Sequence, residues 1–274
     1  MSSGCLFPLL RGKFMKRRAF LMAFLSCTVL SPAHAVDERY RDYEPRPGLS
    51  GEASIEGAPA PASLMLLWPE SFRMLQPGVA LRTGPIEGGV TVKAAVEAVA
   101  VLVHAENPLA CISLEELNRL YTDENPKWES GAPAVPLARE AGPGKGDFFA
   151  EAVLRGAPFA PGVARIARYS ALLDTIASAP GAIGYAPAGY RGDGVKALRV
   201  SGSGDCVAPS AANASRAAYP LARFVYLRGG KSEAGRAFFG YVLSQAGQRD
   251  AVIAGFYSLP YVFAAEERRK LGLD

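Results

Sequence analysis

Ala98-Val99-Ala100-Val101-Leu102-Val103-His104 is an unbroken apolar run that closes on a histidine and a turn, Glu106-Asn107-Pro108. A short valine-rich run without polar alternation reads as a strand buried on both faces. Downstream, Ser113-Leu114-Glu115-Glu116 is a capping box that opens a helix running to Tyr121. Residues 170–179 read as a helix, 182–185, 197–200 and 223–227 as strands, and 233–243 and 248–254 as helices. A charged tail helix comes last at 264–271, where Arg268-Arg269-Lys270 reads as a solvated face. Upstream, 53–55 and 79–82 are strands. Between them, residues 62–75 carry Leu64, Leu67, Trp68, Phe72 and Leu75 on one helical face, ended by Pro77-Gly78. This alternation predicts an α/β chain with parallel, helix-covered sheets.

The N-terminus reads as an export signal. Met15-Lys16-Arg17-Arg18 is a positive start, residues 19–30 (AFLMAFLSCTVL) form an apolar stretch too short to span a bilayer, and Ala33-His34-Ala35 is a cleavage signal. Met15 is the better initiator, residues 1–35 are the leader, and the mature chain is periplasmic with no transmembrane anchor. Residues 36–50 (VDERYRDYEPRPGLS), charged and without apolar period, read as a flexible lead-in. The leader holds Arg11, Lys13, Lys16, Arg17 and Arg18 and no acid. Removing these five from 30 basic residues, against 26 acids, turns a formal +4 into −1. The apparent basicity is a targeting signal and gives no case for nucleic acid.

Cys111 and Cys206 are the cysteines left after the leader. In an oxidising compartment they read as one disulfide, with two buried free thiols as the alternative. His104 is the one mature histidine, and its place at the end of a buried run favours a structural role over a Ser-His-Asp triad. A His/Cys metal cluster is excluded by count, and no cofactor is expected.

The stretch Arg139-Glu140-Ala141-Gly142-Pro143-Gly144-Lys145-Gly146-Asp147-Phe148-Phe149 comes after an apolar run and opens a helical pattern. Backbone N–H groups of such a turn, with a helix N-terminus behind them, form a generic anion cradle, and Arg139 adds a planar fork suited to two oxygens. It is not a Walker-type loop, because Arg139 and Gly146 stand where a glycine and a hydroxyl belong. The plain alternatives are an ordinary strand-to-helix connection and, for Arg139, a salt bridge.

Several segments together resemble the phosphate-binding proteins of ABC importers, the PstS-like group with a type II periplasmic binding fold. Residues 98–104 with Glu106-Asn107-Pro108 and Ile112-Ser113-Leu114-Glu115-Glu116-Leu117 resemble that family's hinge strand, its NP turn and its LTLEQL helix. Asn125-Pro126-Lys127-Trp128 matches its xNW segment, and Pro180-Gly181-Ala182-Ile183-Gly184-Tyr185 its PGAIGY motif. Tyr219-Pro220-Leu221-Ala222-Arg223 matches YPLxR, and Leu243-Ser244-Gln245-Ala246-Gly247-Gln248 lies in the FVLSxxGQ tail.

The resemblance implies an α/β, two-lobed fold with a reduced first lobe. Residues 51–104 and 220–274 would form lobe I and 105–219 lobe II. It implies a non-enzymatic binding protein that holds phosphate or a related oxyanion in the interlobe cleft and serves an ABC permease. Carried over residue by residue, the ligand set is Gly57, Ala58 and Ala60 in the first contact loop and Arg139, Gly144 and Lys145 in the second.

Against the family's pattern both loops have lost their hydroxyls, and Pro59 and Pro143 have entered. Between Thr83 and Val92 a short connector stands where the family has a further loop, helix and acidic ligand. Losing three or four such groups weakens oxyanion binding by about 5 kcal/mol. The competing expectation is therefore a ligand-stripped module that acts in periplasmic interaction or sensing.

Overall fold

The computed structural model describes residues 36–58, 62–140 and 147–274. In chain order its strands are β1 (Gly51–Ala58), β2 (Val79–Thr83), β3 (Val90–His104), β4 (Cys111–Ser113), β5 (Val135–Arg139), β6 (Ala164–Ile166), β7 (Ala182–Pro187), β8 (Val195–Ala197), β9 (Arg199–Ser201), β10 (Ala222–Gly229) and β11 (Tyr257–Ser258). The helices are α1 (Ala62–Leu75), α2 (Leu114–Thr122), α3 (Tyr169–Ser178), α4 (Ala211–Ser215), α5 (Glu233–Val242), α6 (Gln245–Ile253) and α7 (Tyr261–Lys270), with a π-helical turn at Ala150–Leu154.

Among the described residues one sheet runs in the order β2-β1-β10-β3-β7-β5-β6, with β8 and β11 also on β3, and β4 pairs with β9 apart from it. The opening run is the second half of β3, and residues 98–103 are all buried, as a two-sided strand requires. The expectation of parallel sheets does not hold at this centre. β3 is antiparallel to β10, β7, β8 and β11, and parallel pairing is confined to β1–β2, β5–β6, β5–β7 and β4–β9. Burial on both faces fixes the composition of a strand but not the direction of neighbours that arrive from far along the chain.

The helices obey their apolar stripes. Leu64, Trp68 and Phe72 of α1 are buried, and Trp68 donates to the Gly247 carbonyl at 2.8 Å. Leu75, assigned to the same stripe, is 39% exposed at the last position of the helix. Ser113 caps α2 by accepting from Glu116 N–H at 3.0 Å. Gly247 permits the close packing of α6, since a Cβ there would lie 2.2 Å from the Tyr241 carbonyl. The next residue, Gln248, is fully buried and fully paired. Its amide donates to Ala94 and Val242 carbonyls at 2.9 and 2.8 Å and accepts from Leu259 N–H at 2.7 Å, tying α6 to β3.

Residues 36–50 do not run free. Tyr40 is 5% exposed and donates to the Leu259 carbonyl at 2.5 Å, while Tyr43 meets Phe72 and Tyr241 edge-on at 5.8 and 5.5 Å. Two aromatic anchors bury enough surface to hold an otherwise charged segment. The leader, residues 1–35, lies outside the described residues. Cys111 and Cys206 form a disulfide with a Cα separation of 6.0 Å, fastening β4 to the turn that leaves β9.

Candidate functional site

Strand register decides which residues face one another. β3 and β1 run the same way, and Ala58, the last residue of β1, is level with Tyr226 of β10, which is level with Lys93 of β3. On the other flank, Pro136 of β5 is level with Ile183 and hence with Val103 of β3, and β5 runs opposite to β3. The C-terminal ends of β1 and β5 therefore approach the middle of β3 from its two ends. Gly57 and Ala58 sit on one side and Arg139 on the other. Ala60, Gly144 and Lys145 lie outside the described residues.

Arg139 ends β5 half-buried. Its guanidinium lies 4.8 Å over the Tyr169 ring, and one N–H reaches the Ile166 carbonyl at 3.4 Å. Among the described residues no carboxylate pairs with it. The salt-bridge alternative is thus not what this part of the molecule shows. The fork is stiffened by the ring beneath it.

The middle of β3 carries what the sequence reading missed. Glu97 stands directly opposite Arg223 of β10 and accepts from it at 2.7 Å. Glu151 of the π-helical turn accepts from the same guanidinium at 2.7 Å, and Phe148 stacks on it at 4.1 Å. Burial pushes the Glu97 carboxyl above the usual range. Arg223 draws it back, while Glu151 and Asp147 push it further up. The available signal was a lone acid inside the apolar stretch 94–103, which demands a cation from elsewhere.

Asp147, near the end of the glycine-rich stretch, is already committed. One oxygen accepts from Phe149 and Ala150 N–H groups at 3.0 and 3.4 Å, and the other from the Tyr185 hydroxyl. Tyr185 in turn stacks flat on Phe149 at 3.8 Å, so it is a packing residue. The remaining sequence candidate, His104, accepts from Glu106 N–H at 3.2 Å and shapes the turn after β3.

A mixed α/β scaffold with one long strand shared by two halves, and loops converging at its middle, defines the two-lobed periplasmic binding class. The chain belongs to the PBP superfamily domain family, whose model matches residues 87–246. It is similar to the phosphate-binding protein PstS of Pseudomonas aeruginosa, with 24% identity over 94% of this chain and 99% of the relative. The aligned span of 323 positions exceeds the 274 residues here, so the relative carries segments without a counterpart.

Among solved structures, a possible phosphate binding protein from Planctomyces limnophilus superposes with a TM-score of 0.71. It is 18% identical, over 82% of this chain and 98% of its own. An ABC-type phosphate transport receptor from Vibrio cholerae gives 0.59, at 18% identity over 72% and 95%. Both likenesses speak to the fold. Among the described residues no helix is long and apolar enough to cross a membrane.

Proposed function

We propose that this chain is an exported solute-binding protein of the phosphate ABC transporter type. It binds phosphate or a related oxyanion without transforming it and delivers it to a permease. Residues 51–104 with 220–274 form its first lobe and 105–219 its second, with the leader at 1–35. The single observation that carries the binding role is Arg139, a guanidinium held on Tyr169 at the end of β5 with no carboxylate partner among the described residues. The likeness to phosphate-binding relatives supports the choice of oxyanion. Arg139 supplies the bidentate fork. Backbone N–H groups near Gly144 and at Gly57, Ala58 and Ala60, with the Lys145 ammonium, supply the rest.

Titration calorimetry with phosphate, sulfate and a phosphate monoester tests this reading. Phosphate is expected to bind, and Arg139→Ala to weaken it by roughly ten- to a hundredfold, as loss of a charge-assisted fork implies. No heat from any of the three anions overturns the assignment.

One observation favours a second reading, a binding-protein scaffold that acts through a protein partner with its cleft empty. Arg223 of β10, opposite the middle of β3, is held by two carboxylates, and Asp147 adds a third charge nearby. Silence in the titration together with recovery of a specific periplasmic partner would favour it.

A further inference from the structure

The segment expected to be a flexible lead-in builds one wall of a groove that involves none of the cleft residues. The groove encloses about 770 Å³ between residues 40–47, α5 and α7. Four arginines line it: Arg41 and Arg46 from the lead-in, Arg236 from α5 and Arg268 from α7. Asp42 and Glu44 also line it, so its lining charge is positive but moderate.

Two of the four guanidiniums are oriented by acids outside the lining. Arg46 lies 3.5 Å from Glu233, and Arg268 donates to Asp274 at 2.9 Å and to the Leu273 carbonyl at 2.8 Å. Arg268 is therefore a fixed fork and not part of a solvated face. Arg41 and Arg236 are exposed and have no carboxylate partner among the described residues. The wall that carries Arg41 is rigid. Its carbonyl accepts from Gln245 N–H at 2.8 Å, Tyr40 and Tyr43 pin the backbone on either side, and Pro45 and Pro47 restrict the backbone beyond them.

The acids offset much of the groove's positive charge, so an entering anion gains chiefly from Arg41 and Arg236, the two guanidiniums without a carboxylate partner among the described residues. The volume falls in the range of small-molecule sites, about 300–1,000 Å³. The groove's two free forks stand on separate elements, Arg41 on the lead-in and Arg236 on α5, so each can take a phosphate group of its own. We propose that this groove is a second anion site, taking a small molecule that carries at least two phosphate groups, with Arg41 and Arg236 as its free forks.

The test uses the mature chain and inorganic tripolyphosphate as the probe. Calorimetric titrations at low and at physiological salt are run on the wild type, on Arg139→Ala, and on the double variant Arg41→Gln/Arg236→Gln. Both groove positions are exposed, so the double variant is expected to keep its fold, which its melting temperature checks. Tripolyphosphate is expected to bind the wild type and Arg139→Ala alike, to weaken with salt, and to lose about tenfold or more in the double variant. This separates the groove from the cleft, where Arg139→Ala is the sensitive change. Absence of heat, or binding that depends on Arg139 and not on the double variant, overturns the proposal. Vesicles containing phosphatidic acid test a lipid source of the same chemistry. Vesicle binding that tripolyphosphate does not displace would overturn the small-molecule assignment.

Discussion

At the scale of single residues, Glu97 is the most consequential group outside the predicted ligand set. It lies on β3 opposite Arg223, with Asp147 from the end of the glycine-rich stretch and Glu151 from the π-helical turn nearby. Its carboxyl titrates above the ordinary glutamate range in the folded chain, so the native state holds that proton more tightly than the unfolded state. Its contribution to stability is then greatest at acid pH and falls as pH rises from the ordinary glutamate range through the raised value. Urea unfolding across that window is expected to show wild-type stability declining with pH and Glu97→Gln flattening the decline. Equal slopes in the two proteins would remove Glu97 as the responsible group. Arg139 drew notice in the sequence because it stands before a glycine-rich turn, a place where a salt bridge or an oxyanion could equally use it. The Glu97–Arg223 pair was not legible there, since it exists only once two strands distant in sequence are placed in register.

Among the elements, α1 shows how much local pattern can carry. Its apolar spacing and the Pro77-Gly78 stop define its observed bounds, Ala62–Leu75. The first half of β3 was hidden for a non-local reason. Lys93 interrupts its pattern, and only the fold reveals that Lys93 lies between the rings of Phe224 and Phe263, 5.1 and 4.7 Å from their centroids. The single strand expected over 197–200 divides into β8 and β9 because Leu198 turns from β3 toward β4. The helix expected after the glycine-rich stretch widens into a π-helical turn that ends at Arg155 with φ 53°. The disulfide acts at this scale. It closes a span of 95 residues, for which chain entropy gives about 4.7 kcal/mol. Reduction is expected to lower the urea midpoint accordingly. An unchanged midpoint with both thiols demonstrably free would refute that contribution.

For the molecule as a whole, ligand and fold are linked. A ligand present at about a hundredfold over its Kd stabilises the native state by about 2.7 kcal/mol. For a chain of this size that corresponds to a rise in melting temperature of roughly 5–10 °C. A calorimetric scan with saturating phosphate is expected to show that rise as one cooperative transition, because β3 runs through both halves of one sheet and packs in one core. A scan unmoved by phosphate at concentrations that give binding heat would contradict the linkage.

β3 also sets a timetable. Glu97 meets its partner strand at Arg223, 126 residues further along the chain. Chain ends that far apart lose much conformational freedom before their contacts repay it, which slows formation of the central pairing. The valine-rich half of β3 is likewise an unpaired apolar segment, of the kind that recruits other chains, until β7 and β8 emerge to cover it, and its first half waits for β10. A ribosome must therefore finish nearly the whole protein before the middle of its sheet can close, and the last third of the sequence governs when the first third becomes safe from aggregation.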